Sequence, residues 1–160
     1  MSTRSGIGFD VHPLVEGRPL VLGGVTVPFE RGLQGHTDGD VLVHAIIDAV
    51  LGGSGLGDIG RHFPSDDERY RGAVSTTLLQ QAVALARQAG WQATYVDATI
   101  LAESPRLSPI IDRISRNLAK MLDVASGSVN LKATTTDGLG FVGRGEGIAA
   151  MAVATLHPTP

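Results

Sequence analysis

At 160 residues, 42% hydrophobic and 18% charged, the sequence suits one globular domain over residues 1–160 and excludes a disordered chain or a scaffold that needs staples. A net charge of -3 offers no basic face to nucleic acid, so any phosphate must be held locally by metal ions or backbone N–H groups. With no cysteine, disulfides and thiolate metal sites are excluded, and any zinc must rest on His and carboxylate ligands.

No apolar run approaches the roughly 20 residues of a spanning helix, and no signal-peptide pattern is present. The expectation is a soluble, cytoplasmic protein with no membrane partner. Residues 7–11 and 19–27 read as short strands, apolar and β-branched between Gly and Pro, with Gly23-Gly24 as a hairpin turn. Val41, Val43, Ala45, Ile46, Ile47, Ala49, Val50 and Leu51 then predict a mostly buried helix, with Asp40 near its start and Gly52-Gly53 at its end. Asp40, His44 and Asp48 recur every four positions and so lie on one stripe of it.

Gly57-Asp58-Ile59-Gly60 and residues 63–67 read as loop, followed by a helix over residues 75–88 that Gly90 ends. Residues 94–101 predict a strand and residues 108–122 an amphipathic helix, with strands over 129–134 and 148–156. The order β, β, α, α, β, α, β, β implies an α+β fold, a mixed β-sheet with helices packed on one face.

Asp10 and His12 stand two apart on a strand, so both side chains project to one face. His44 on the buried helix is a natural third partner, giving an Asp/His/His set with a fourth position open, as catalytic zinc sites require. Asp-x-His by itself is equally the pattern of a surface pair. In His36-Thr37-Asp38-Gly39-Asp40, one of the acids caps the helix, or the backbone N–H groups there face a phosphate with His36 as a further donor. Thr134, Thr135, Thr136 and Asp137 run into a stretch with glycine at 138, 140, 143, 145 and 147, which suits close backbone approach to a ligand or to another chain.

Gly8-Phe9-Asp10-Val11-His12, His36 to Asp40 with His44, Gly57-Asp58-Ile59-Gly60, Ala133-Thr134-Thr135-Thr136, and Gly140-Phe141 with Gly143-Arg144-Gly145-Glu146-Gly147 occur in order and in register over nearly the whole chain. Together they resemble the cyclodiphosphate synthase family of the non-mevalonate isoprenoid pathway.

The resemblance implies a phosphorus–oxygen lyase that converts 4-diphosphocytidyl-2-C-methyl-D-erythritol 2-phosphate into 2-C-methyl-D-erythritol 2,4-cyclodiphosphate and CMP. It implies Zn2+ on Asp10, His12 and His44, with His36 and Thr135 stabilising the transition state. A second ion, Mg2+ or Mn2+, falls to Asp137, where the family commonly has Glu. Asp58, Ile59 and Gly60 match positions that contact the erythritol or ribose. Residues 63–67, including Phe63 and Asp67, match a substrate loop, with Ser65 departing from the usual acid. Ala102, Ser104, Pro105, Arg106, Leu107 and Ser108 match the cytosine segment, and Thr37, Thr134, Thr136, Phe141 and Arg144 match further substrate contacts.

The family assembles as a homotrimer with its sheets around a central channel and its active sites between subunits. Arg144-Gly145-Glu146, followed by the apolar strand from Ile148, suits a charged entrance to that channel and an isoprenoid diphosphate within it. Two other functions fit parts of the same pattern: a zinc-dependent phosphoester hydrolase, and a non-enzymatic isoprenoid- or phosphate-binding module.

Overall fold

The computed structural model describes residues 2–160. Strands β1 (Arg4–Glu16), β4 (Arg31–Leu33), β5 (Trp91–Leu101), β6 (Val129–Thr134) and β7 (Gly147–Pro158) form one sheet in the order β4-β1-β7-β5-β6. Neighbours are antiparallel except β5 and β6, whose parallel pairing is bridged by a helical crossover, as parallel strands require. The remaining strands, β2 (Leu20–Leu22) and β3 (Val25–Val27), form a hairpin, and Gly23 and Gly24 both take positive φ at its tip (60° and 75°).

Helices α1 (Val41–Ser54), α3 (Ser75–Gln88) and α4 (Ile111–Leu122) pack on one face of the sheet. Two one-turn helices, α2 (Ile59–His62) and α5 (Gly140–Gly143), sit in the connections. On the inward face β1 carries Gly6 and Gly8, and β7 carries Ala150, Ala152 and Ala154, so α1 comes close to both strands. Leu42, Ile46, Ile47 and Leu51 of α1, Ile100 of β5, and Ile114, Leu118 and Leu122 of α4 are fully buried between the layers. Each contributes about 1.5–3 kcal/mol by burial. The opposite face is uncovered, exposing Ile7 (68%), Phe9 (55%), Val11, Tyr95, Met151 and Val153.

Several expectations change. The first long helix runs through Gly52 and Gly53 and stops at Gly55, which takes the left-handed conformation (φ 77°) and donates to the carbonyls of Leu51 and Gly52. Gly53 is a contact rather than a stop, because a β-carbon there would meet Leu156 at 2.4 Å and Gly6 at 3.1 Å. Strand β1 extends past residue 11 because at Pro13, which has no N–H to give, it leaves β7 and takes up β4 from Leu14 onward. The helix expected from 108 starts at Ile111, after a turn in which Ile110 N–H donates to the Leu107 carbonyl at 3.0 Å. Asp58 turns part of an expected loop into α2 by accepting from Arg61 N–H at 3.0 Å. No helix of the described residues is long and apolar enough to cross a membrane.

Candidate active site

Alternation along β1 and the depth of α1 place three side chains together. His12 Nε2 lies 2.9 Å and His44 Nδ1 3.0 Å from the same Asp10 carboxylate oxygen, and the two ring nitrogens are 3.1 Å apart. His12 Nδ1 is 2.6 Å from the Gln34 carbonyl, which can only accept, so that nitrogen carries the proton. Nε2 is left to face Asp10. His44 Nε2 lies 2.9 Å from the buried Ser75 hydroxyl and 3.1 Å from that of Thr37, and its Nδ1 also faces Asp10.

Burial opposes ionisation of Asp10, but hydrogen bonds from His12 and His44 outweigh it and hold the carboxyl at about 2. Burial likewise presses the His12 pKa down, and the Asp10 carboxylate more than offsets this, so it is raised. In the metal-free state a proton therefore bridges His12 and Asp10. Two imidazole nitrogens and one carboxylate oxygen converge at 2.9 to 3.1 Å, close to the spacing of about 3.3 Å that ligands on a tetrahedral ion with bonds near 2.0–2.1 Å adopt. A divalent ion suits this set, taking the place of the shared proton.

The cluster forms the floor of an open cleft of about 250 Å³, which His36, Thr37, Asp48, Ile59, Gly60, Phe63, Ser65 and Leu78 also line. His36 donates from Nε2 to the Asp67 carbonyl at 3.0 Å and so ties down the segment that follows Phe63. The Asp67 carboxylate is turned away to Arg69, whose hydrogen bonds lower its pKa. Burial raises the Asp48 pKa, and its carboxylate accepts from Ile59 N–H at 2.7 Å, holding α2 at the rim. Asp58 stands beside it as the α2 cap.

The N–H groups expected to cradle phosphate at the start of α1 are engaged inside the chain. Gly39 N–H donates to Thr37 Oγ1, Asp40 N–H to Asp38, and Val43 N–H to Asp40. Asp40 is the cap, and its fully buried carboxylate also accepts from Gly23 and Gly24 of the hairpin.

Ala102, Ser104, Pro105, Arg106, Leu107 and Ser108 line a second open cleft of about 340 Å³ together with Ala133, Thr134 and Thr135. Thr135 Oγ1 is 3.4 Å from Asp137 Oδ1, so the candidate second-ion ligand belongs to this cleft's rim and not to the Asp10 cluster. Thr136 Oγ1 donates to the Leu139 carbonyl at 2.7 Å, Phe141 is partly exposed on α5, and Arg144 pairs with Glu146 at 2.9 Å. The glycines of this stretch serve close approach within it: a β-carbon on Gly143 would sit 2.1 Å from the Gly138 carbonyl carbon.

Three residues that shape these clefts carried no sequence signal. Arg18 donates to the carbonyls of Gly35 and Thr37 at 3.0 and 2.7 Å, bracing the segment over the cluster. Glu103 accepts from the N–H groups of Thr136 and Gly138 at 3.3 and 3.2 Å, bracing Asp137 between them. Ser75 reaches His44 from a helix start that held no motif.

The YgbB family matches residues 3–157. A 2-C-methyl-D-erythritol 2,4-cyclodiphosphate synthase of Geobacillus kaustophilus is 56% identical over 154 residues, which covers 96% of this chain and 98% of that one. The bifunctional IspDF of Campylobacter jejuni superposes with a TM-score of 0.95 at 42% identity, covering 99% of this chain and 43% of the bifunctional one. The CDP complex of Plasmodium falciparum IspF gives a TM-score of 0.85 at 30% identity, over 99% of this chain and 98% of that one. Matched along nearly its whole length by the family and by these relatives, the chain belongs to the YgbB family of 2-C-methyl-D-erythritol 2,4-cyclodiphosphate synthases.

Proposed function

We propose that the chain converts 4-diphosphocytidyl-2-C-methyl-D-erythritol 2-phosphate into 2-C-methyl-D-erythritol 2,4-cyclodiphosphate with release of CMP. The observation that carries this reading is the convergence of His12 Nε2, His44 Nδ1 and Asp10 at the floor of an open cleft, in a member of this family. A donor set of two imidazoles and one carboxylate, without thiolate, suits Zn2+. Bound there, the ion supplies Lewis-acid polarisation of a phosphoryl oxygen and a fixed point for the diphosphate.

In the reaction an oxygen of the substrate's own 2-phosphate forms a bond to the β-phosphorus, and the bond from that phosphorus to the oxygen of CMP breaks. Attack within one molecule needs alignment more than a strong base. His36 and Thr37, on the cleft wall, donate hydrogen bonds to the phosphate oxygens. Asp58, Ile59 and Gly60 take the erythritol hydroxyls, and Phe63 closes over them with the loop to Asp67. Backbone groups from Ala102 to Ser108 read the cytosine edge, with Thr134 and Thr136 beside the nucleotide. Thr135 stabilises charge on the transferred phosphoryl group. Asp137 takes a second ion, Mg2+ or Mn2+, near the departing CMP.

The two clefts lie at opposite edges of the sheet, on β1 and at the end of β6, with β7 and β5 between them. Three strand spacings separate them, about 14 Å. This layout and the uncovered apolar face support a homotrimer in which the nucleotide cleft of one subunit meets the metal cleft of the next. The sheets would then enclose a channel that takes an isoprenoid diphosphate near Arg144. The cytidine chemistry places the enzyme in the cytoplasm.

Phosphorus NMR of the products tests the reaction. A cyclic diphosphate appearing with CMP in equal amounts is expected, and a linear phosphate product would instead support a hydrolase.

A further inference from the structure

We propose that Asp38 and Ser75 form a positioning pair that fixes which ring nitrogen of His44 carries its proton, and through it the metal affinity of the cleft. The inference rests on the metal reading given above. Ser75 opens α3 and is fully buried. Its hydroxyl oxygen lies 2.5 Å from Asp38 Oδ1 and 2.9 Å from His44 Nε2. A carboxylate only accepts, so the hydroxyl proton goes to Asp38, and the oxygen has only lone pairs to offer His44. His44 must then carry its proton at Nε2. Its Nδ1 lone pair is turned toward Asp10, 3.0 Å away.

Asp38 is itself held as an acceptor. Its Oδ1 also receives Asp40 N–H at 3.1 Å, and its Oδ2 receives Ser75 N–H at 3.1 Å. Every neighbour that bonds to it donates. The arrangement runs outward from His44 through Ser75 to Asp38, and outer groups of this kind set both the tautomer and the basicity of a ligating imidazole.

The geometry ranks the variants. Thr37 Oγ1 is a second hydroxyl 3.1 Å from His44 Nε2, so Ser75→Ala leaves His44 an alternative acceptor. Asp38→Asn is worse. An amide brings donors into a place where the neighbours only donate, and with its NH2 toward Ser75 the hydroxyl proton turns to His44. Nε2 then accepts, the proton moves to Nδ1, and the lone pair facing Asp10 is lost.

The experiment compares the full chain with Asp38→Asn, Ser75→Ala and Ser75→Thr. Zinc dissociation constants are measured by chelator competition, and the His44 tautomer by nitrogen–proton correlation in the metal-free protein, with far-UV circular dichroism as a check on folding. Asp38→Asn should weaken zinc binding roughly 100-fold and move the His44 proton to Nδ1; Ser75→Ala should weaken it roughly 10-fold, and Ser75→Thr should stay near the parent. Parent-like zinc affinity and tautomer in Asp38→Asn and Ser75→Ala would overturn the proposal, even if their unfolding were easier. Should Asp38→Asn fail to fold, the Ser75 pair decides by the same two readings. A parent that takes up no zinc sinks the metal reading, and the pair is then judged by the tautomer alone. A parent that binds zinc but yields no cyclic product sinks the reaction and not the pair.

Discussion

Gly8 and Ala45 meet backbone to backbone: a β-carbon on Gly8 would lie 1.8 Å from the Ala45 carbonyl oxygen. Asp10 is two residues along from the one, and His44 is the neighbour of the other, so this contact sets the gap between them. Gly8→Ala should push α1 off β1, cost about 3 kcal/mol or more, and lower zinc content. Urea unfolding and metal analysis of the same sample check it, and parent-like values in both would refute the role of the contact.

Removing a ligand should separate metal from fold. His12→Ala or His44→Ala is expected to abolish zinc binding and cyclisation and to leave the circular dichroism spectrum unchanged. The core of α1 and α4 is apolar and complete without the ion, unlike a zinc finger. Full zinc occupancy in both variants would show that the ion is held elsewhere.

Asp137 has a positive φ of 53°, a conformation that Asn adopts readily, so Asp137→Asn removes the charge without straining the chain. The variant should need more Mg2+ or Mn2+ for half-maximal rate, with zinc content unchanged. An identical metal titration would exclude Asp137 as a ligand.

The metal-free protein should lose stability as pH rises from about 4. Burial pushes the Asp40 carboxyl up to about 6 from its ordinary 3.8, although Gly24, Val43 and Gly23 N–H groups favour the ionised form. Between those values the unfolded chain has released this proton and the folded one has not, so stability falls with pH by on the order of 3 kcal/mol. His12, with its pKa raised, adds stability that is present below its ordinary 6.5 and lost as pH passes the folded value. Asp10, lowered to about 2, acts oppositely: its contribution is present above 3.8 and lost as pH falls toward 2. Zinc reverses the upper part of the profile, since binding displaces the His12 proton and strengthens as pH rises. Denaturant titrations from pH 2 to 8 with and without zinc, on the parent and Asp40→Asn, measure each part. An Asp40→Asn profile with the same fall between 4 and 6 would remove Asp40 as its source.

Assembly is tested on the uncovered sheet face. Phe9→Lys places a charge on the apolar surface proposed to line the trimer, and sedimentation should show smaller species than the parent. Arg144→Glu sets a second acid beside Glu146, and it should weaken isoprenoid diphosphate binding. A parent that sediments as a monomer at micromolar concentration refutes the trimer, and unchanged diphosphate binding refutes the entrance.

What could be read in advance follows the range of the interaction. Helix α3 and strand β6 match their expected bounds, 75–88 and 129–134, because local propensity and turn residues set both ends. The Asp10, His12 and His44 cluster was also readable, since strand alternation fixes the shared face of the first two. Strand β4 and helix α5 are three and four residues long, too short for any periodicity. The end of α1 was misplaced because the task of Gly53 is to meet Gly6, which lies 47 positions earlier in the chain. Ser75 and Asp38 are 37 residues apart, and only the packing of α3 beside α1 brings them to His44.

Strand β7 lies in the middle of the sheet, between β1 and β5, yet it is the last of the sheet strands to be made. While the chain is being synthesised, β1 waits beside an open seam that nothing made before residue 147 fills. The inward face against which α1 docks is half missing until then, because Ala150, Ala152 and Ala154 supply it. Such distant pairings form slowly and expose strand edges meanwhile. Asp10 and His12 therefore emerge from the ribosome early but come to face His44 late, and metal loading follows folding instead of guiding it.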